Sequence, residues 1–173
     1  MIYEIKQDGK FKYIEEGNGE PLLLLHGLFG ALSNFAHLIE YFNKSYKVVV
    51  PMLPLLDLDL LHTSVGGLQK FVHKFIENRN YTSINLLGNS LGGHVALVHI
   101  LKHPERIKSL TLTGSSGLFE SGMGDTYPKR GDKEYIRNKT ALTFYDPAIA
   151  TDELVNEVFE ITNNRLKVIK IIA

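Results

Sequence analysis

Ser90 is the residue with the strongest claim to chemistry. It stands in Gly88-Asn89-Ser90-Leu91-Gly92, a G-x-S-x-G pattern. By composition alone such a pattern arises in about one chain in twenty of this length. Its flanks make chance a poor explanation. Ile84 to Leu87 is a short apolar run that predicts a buried strand, and His94 to Leu101 is a Gly-free apolar run that predicts a helix. Strand, Gly-flanked turn, serine at the apex and helix is the context that a nucleophile elbow requires. Glycines at 88 and 92 would let strand and helix approach closely. The helix N-terminus would aim free N–H groups and a positive dipole end at the place where negative charge develops.

A serine hydroxyl is a weak nucleophile at neutral pH and needs an adjacent base, usually a histidine oriented by an acid. The histidines after Ser90 are His94, His99 and His103, all on or just past the helix that leads away from the serine. Upstream, His26-Gly27-Leu28-Phe29-Gly30 follows another apolar run, Leu22 to Leu25. Asp57, Asp59 and His62 suggest a metal site, but three such residues on one short loop rarely close one. The rival reading of the elbow, a dinucleotide fingerprint, fails because it needs glycine where Ser90 stands.

The elements that must position these residues alternate. Tyr3 to Lys6 and Lys10 to Ile14 flank Asp8-Gly9 and predict a hairpin. Leu22 to Leu25 and Tyr46 to Val50 read as strands, the first a continuous apolar run suited to a strand covered on both faces. Phe35, Leu38, Ile39 and Phe42 form one helical stripe, with Ser33 as its predicted cap. Leu68, Phe71, Val72, Phe75 and Ile76 form another. His103-Pro104 should end the helix after the elbow, and Ile107 to Thr113 is a further strand. Such alternation predicts βαβ units and a mostly parallel sheet with helices on both faces. Residues 118–133 read as loop, Glu134 to Thr140 as a short helix, and Thr151 as the cap of a last helix with Leu154, Val158, Ile161 and Thr162 on one face.

The paired motifs, His26-Gly27-Leu28-Phe29-Gly30 and Gly88-Asn89-Ser90-Leu91-Gly92, resemble those of the α/β-hydrolase family, and the resemblance runs along nearly the whole chain. It implies an α/β-hydrolase core over residues 1–117 and part of a helical cap over 118–173. It implies Ser90 as nucleophile and an oxyanion hole made by the backbone N–H groups of Leu28 and Leu91, with Phe29 the second choice to Leu28. Phe29, Phe144 and Tyr145 become candidate substrate contacts. In the family the counterpart of His26 organises the oxyanion loop, and a minority of relatives place the acid where Asp125 stands. Where family members often carry a P-x-L-P-G-type loop, this chain has Pro51-Met52-Leu53-Pro54-Leu55 followed by Leu56 and Asp57.

The family's usual acid and base follow two further strands, which this sequence does not contain. The expectation is therefore the first two thirds of a hydrolase, missing its C-terminal strands and inactive by itself. The strand Ile107 to Thr113 would keep an open edge, suited to self-association or to a second chain that completes the fold. The implied reaction is cleavage of a carboxylic ester or related acyl compound. The alternatives are hydrolysis of a carbon–carbon bond and a non-catalytic binding protein on the same scaffold.

Bulk properties agree with a soluble enzyme acting on a small molecule. The 173 residues carry 19 basic and 19 acidic side chains, so no charge excess points to nucleic acid or an anionic membrane. There is no Cys, which excludes disulfides and a Cys nucleophile. No apolar run approaches membrane-spanning length, and the expected compartment is the cytoplasm. No cofactor or metal is expected, because serine-based acyl transfer needs neither.

Overall fold

The computed structural model describes residues 3–28, 35–55, 63–118 and 129–164. The chain divides into two compact units, Met1–Phe119 and Glu120–Ala173.

The first unit is built on a sheet whose six described strands are β1 (Lys6–Asp8), β2 (Phe11–Glu16), β3 (Glu20–Leu25), β4 (Tyr46–Pro51), β5 (Ile84–Asn89) and β6 (Ile107–Thr113). Their order across the sheet is β1-β2-β4-β3-β5-β6. The β1–β2 hairpin is antiparallel and joins antiparallel to β4, whereas β4, β3, β5 and β6 run parallel. The hairpin turn is the pair Gly9-Lys10, with Gly9 at φ 55°, one residue later than Asp8-Gly9 suggested. Positive φ at the first turn residue matches the twist of the strands and suits glycine.

The continuous apolar strands are explained by helices on both faces. Leu23, Leu25, Val49 and Leu86 face α2 (Val65–Asn78) and α3 (Leu91–Lys102), packing with Phe71, Val72, Phe75, Ile76, Val95 and Ala96. The alternate residues Leu22, Leu24, Val48, Val50 and Leu87 pack with Phe35 and Ile39 at α1 (Ala36–Phe42). The predicted stripes on α1 and α2 are the faces turned inward. Ser33 lies outside the described residues. Ser64 caps α2 by accepting the Gly67 N–H.

Among the boundaries that differ from the sequence reading, two bear on the site and the hairpin. Helix α3 starts at Leu91, so Gly92 and Gly93 lie inside its first turn, where the sequence reading began the helix at His94. Strand β1 is shorter than the run Tyr3 to Lys6 and displaced towards the turn.

The second unit holds α4 (Lys133–Ala141) and α5 (Asp152–Asn163). Asp132 caps α4 through the Glu134 and Tyr135 N–H groups, and Thr151 caps α5 through that of Leu154. The buried face of α5 is Val155, Val158 and Thr162, while Leu154 and Ile161 flank it half-buried. Arg137 ties the two helices, donating to the Ala150 carbonyl at 3.2 Å and pairing with Asp152. Among the described residues no helix is long and apolar enough to cross a membrane.

Candidate active site

The parallel registers Leu25 with Gly88 and Asn89 with Thr113 bring the carboxyl ends of β3, β5 and β6 to one edge of the sheet. Loops leaving those ends therefore converge, and this is where ligands bind in parallel α/β sheets. His26 to Leu28 leaves β3, Ser90 leaves β5, and Gly114 to Gly117 leaves β6.

Ser90 has φ 53° and ψ −122°, a conformation that L-residues avoid. Such strain costs on the order of 1–3 kcal/mol and persists only where the surroundings impose it. They do so here by contact. A methyl group on Gly88 would lie 2.6 Å from the Gly92 carbonyl oxygen and from the Gly93 Cα. A methyl on Gly92 would overlap the Leu25 carbonyl. Strand β5, helix α3 and the end of β3 are thus packed backbone to backbone, and the chain can pass between them only through a sharp turn at residue 90.

The turn presents Ser90 at the N-terminus of α3. The first N–H of that helix belongs to Leu91 and has no acceptor within the helix. Gly27 lies against the serine, since a Cβ there would meet the Ser90 Cβ at 3.0 Å. Leu28 follows it and is half-buried. Phe29 lies outside the described residues, as do Asp57, Asp59, His62 and Asp125.

His26 is buried beneath this loop, and both its ring nitrogens are engaged. The Leu53 N–H donates to Nε2 at 3.0 Å, and Nδ1 lies 2.8 Å from the Gly27 carbonyl. An Nε2 that accepts leaves the proton on Nδ1, which then donates to Gly27. Burial also lowers the pKa of His26, partly opposed by the Gly27 hydrogen bond. The lone pair that a general base needs is already used, so His26 ties the loops after β3 and β4 together. Leu53, two residues past the end of β4, supplies the donor.

The three later histidines lie on α3 or at its end. His94 is half-buried with its ring against Gly117. His99 is fully buried and lies with His103 and His73 between α2 and α3, the rings of His73 and His103 stacking at 3.8 Å. Phe144 is half-buried and Tyr145 exposed, both in the second unit just after α4.

Sequence reasoning passed over Asn89, Thr113 and Ser116. The Asn89 Nδ2 donates to the Thr113 carbonyl at 2.9 Å and to Thr113 Oγ1 at 3.1 Å. The Ser90 N–H donates to the same carbonyl, and the Ser116 N–H donates to the Ser90 carbonyl. The available signal was register, because β5 and β6 end level only if Asn89 meets Thr113.

The family model for the alpha/beta hydrolase fold matches residues 20–144. The chain belongs to this family. Lipase 1 of Psychrobacter immobilis is 31% identical over 140 residues, which are 77% of this chain and 43% of that lipase. The 2-hydroxy-6-oxo-6-(2'-aminophenyl)hexa-2,4-dienoic acid hydrolase of Metapseudomonas resinovorans is 31% identical over 117 residues, 62% of this chain and 39% of its own length. Among solved structures, an alpha/beta hydrolase enzyme from a sediment metagenome of the Mar Chica lagoon in Morocco superposes with a TM-score of 0.76. Its identity is 39%, with coverage of 98% of this chain and 63% of that one. The chain thus spans less than half the length of these two curated relatives and under two thirds of this solved neighbour.

Proposed function

We propose that this chain carries the nucleophile of a serine hydrolase that cleaves a carboxylic ester or related acyl compound. The observation that carries the reading is Ser90 in a forced left-handed turn at the start of α3, with Gly27 against its side chain. The Ser90 Oγ attacks the acyl carbon while a base takes its proton. The Leu91 N–H and the Leu28 N–H stabilise the oxyanion of the tetrahedral intermediate. Collapse breaks the C–O bond, the alkoxide leaves with the proton, and water then hydrolyses the acyl-enzyme. Phe144 and Tyr145 remain candidate substrate contacts.

The base is the part that the described residues do not identify. His26 is bound at both nitrogens, and His94, His99 and His103 belong to α3 and its end. We place the acid and the histidine outside residues 1–173, in further sequence or in a second chain. Loss of a catalytic Ser or His costs on the order of a million-fold in turnover in a comparable serine hydrolase. Residues 1–173 alone should show almost no ester hydrolysis and no labelling of Ser90 by a fluorophosphonate probe. Adding the missing segment or partner should produce both, and Ser90→Ala should abolish both. Ordinary turnover by residues 1–173, lost in Ser90→Ala, would overturn the placement of the base. Turnover that survives Ser90→Ala would overturn the nucleophile.

A second reading, hydrolysis of a carbon–carbon bond, draws support from the Metapseudomonas resinovorans relative. Parallel assays on a short-chain ester and on a vinylogous diketo acid separate the two by their ratio of kcat/KM.

A further inference from the structure

The strained turn at Ser90 is held by more than its own glycines. One carbonyl, that of Thr113 at the end of β6, accepts both the Ser90 N–H at 3.1 Å and the Asn89 Nδ2 at 2.9 Å. The Thr113 hydroxyl accepts a second bond from Asn89 Nδ2 at 3.1 Å. Across the turn, the Ser90 carbonyl takes the Ser116 N–H at 3.3 Å, besides the Gly93 and His94 N–H groups of its own helix. Both backbone polar groups of Ser90 are therefore engaged, one by the end of β6 and the other by the loop after it.

The orientation of the Asn89 amide follows from these partners. A carbonyl oxygen can only accept, so the NH₂ end must face Thr113. The carboxamide oxygen then turns to the other side, where it lies 3.4 Å from the position of a Cβ on Gly27. The side chain between Gly88 and Ser90 thus spans from the β6 end to the loop after β3, one residue before the serine. A strained residue moves towards a relaxed conformation when its restraints weaken, and the direction of its side chain moves with it.

We infer that Asn89 and Thr113 are positioning residues, a hydrogen-bonded clamp that holds the Ser90 turn in the direction needed for attack. The clamp acts through the backbone of Ser90 and touches no reacting atom. Its catalytic consequence rests on the reading of Ser90 as a nucleophile, whereas its structural consequence does not.

Two readouts keep the two apart. In residues 1–173, amide hydrogen exchange at Ser90 reports the bond to the Thr113 carbonyl directly. Asn89→Ala should speed exchange there by about tenfold, the worth of one such bond, while amides in the middle of β5 and α3 keep their rates. Thr113→Val, which removes only the hydroxyl, should give a smaller change of about threefold. Thr113→Ser keeps the hydroxyl and should behave as the parent. In the complete hydrolase, Asn89→Ala should lower kcat for a short-chain ester by about tenfold with KM unchanged, because a misdirected nucleophile affects the transition state and not ground-state binding.

Unchanged exchange at Ser90 in Asn89→Ala would overturn the clamp. So would a uniform rise across β5 and α3, which marks general loosening. Local exchange as expected with kcat unchanged would overturn its role in positioning. Activity that persists in Ser90→Ala would instead remove the nucleophile reading and leave the exchange result standing.

Discussion

Two buried histidines, His26 beneath the elbow and His99 between α2 and α3, meet the same environment with opposite hydrogen bonding. His26 gives one ring nitrogen to the Leu53 N–H and the other to the Gly27 carbonyl, both backbone groups. His99 meets the Gln69 side-chain amide through Nδ1 at 3.3 Å, and its buried Nε2 has no hydrogen-bond partner among the described residues. Its neighbours are other imidazoles, His103 at 5.2 Å and His73 at 5.8 Å between ring centroids. Burial first, then the nearby His103 and His73, lower its pKa to about 4. A buried imidazole satisfied on both sides fixes two loops, whereas one satisfied on a single side fills space and resists protonation. The region of the elbow is thus specified by backbone contacts, and the seam of the two helices by side-chain packing.

The largest effect that tests this contrast is Gly92→Ala. The added methyl overlaps the Leu25 carbonyl and lies 2.7 Å from that of His26, with no flexible side chain to give way. The expected loss exceeds about 4 kcal/mol or abolishes folding. A loss below about 1 kcal/mol, by denaturant unfolding, would show that the elbow is not held backbone to backbone.

Next come the histidines themselves. His26→Ala leaves the Leu53 N–H buried without its acceptor and should cost about 2–3 kcal/mol, with faster exchange at Leu53. His99→Leu removes an imidazole with an unpartnered nitrogen but takes the Nδ1 partner from the buried Gln69 amide, and should cost about 1–2 kcal/mol, less than His26→Ala. Equal costs in the two variants would break the comparison.

Last comes the response to acid. A histidine whose folded pKa lies below its unfolded value of about 6.5 contributes stability fully above that value and loses it as pH falls. For His99 the loss spans the interval from there down to its folded pKa of about 4. Between pH 6.5 and 5 it amounts to about 2 kcal/mol or less. The stabilising contribution of Glu15, whose pKa is lowered although burial opposes the pull of Arg79 and Lys6, fades only at lower pH. Unfolding midpoints at pH 7, 6 and 5 should fall for the parent and fall less for His99→Leu, the remaining slope belonging to His26. A parallel slope in both proteins would remove His99 as the source.

Much of the fold was legible because its signals are local. Leu22 to Leu25 reads as a doubly covered strand from its unbroken run, and the alternate residues do face α2 with α3 and α1 in turn. The stripe Leu68, Phe71, Val72, Phe75 and Ile76 announces α2 by its spacing. The start of α3 was read late because glycines in the first turn look like loop. They are required there by contact with Leu25 and Ser115, partners remote in sequence. Sequence alone likewise left His26 in contention as a base, since only its two hydrogen bonds remove it.

The amino-acid sequence by itself determined where strands and helices lie, and that Ser90 stands at a tight junction between one of each. Apolar periodicity and glycine spacing act over a few residues and need no fold to be read. The tertiary structure decided what surrounds that serine. Leu53 comes to His26 across 27 positions and Thr113 to Asn89 across 24. Such pairs depend on strand order and register, which place the ends of β3, β5 and β6 at one edge and which no local pattern encodes.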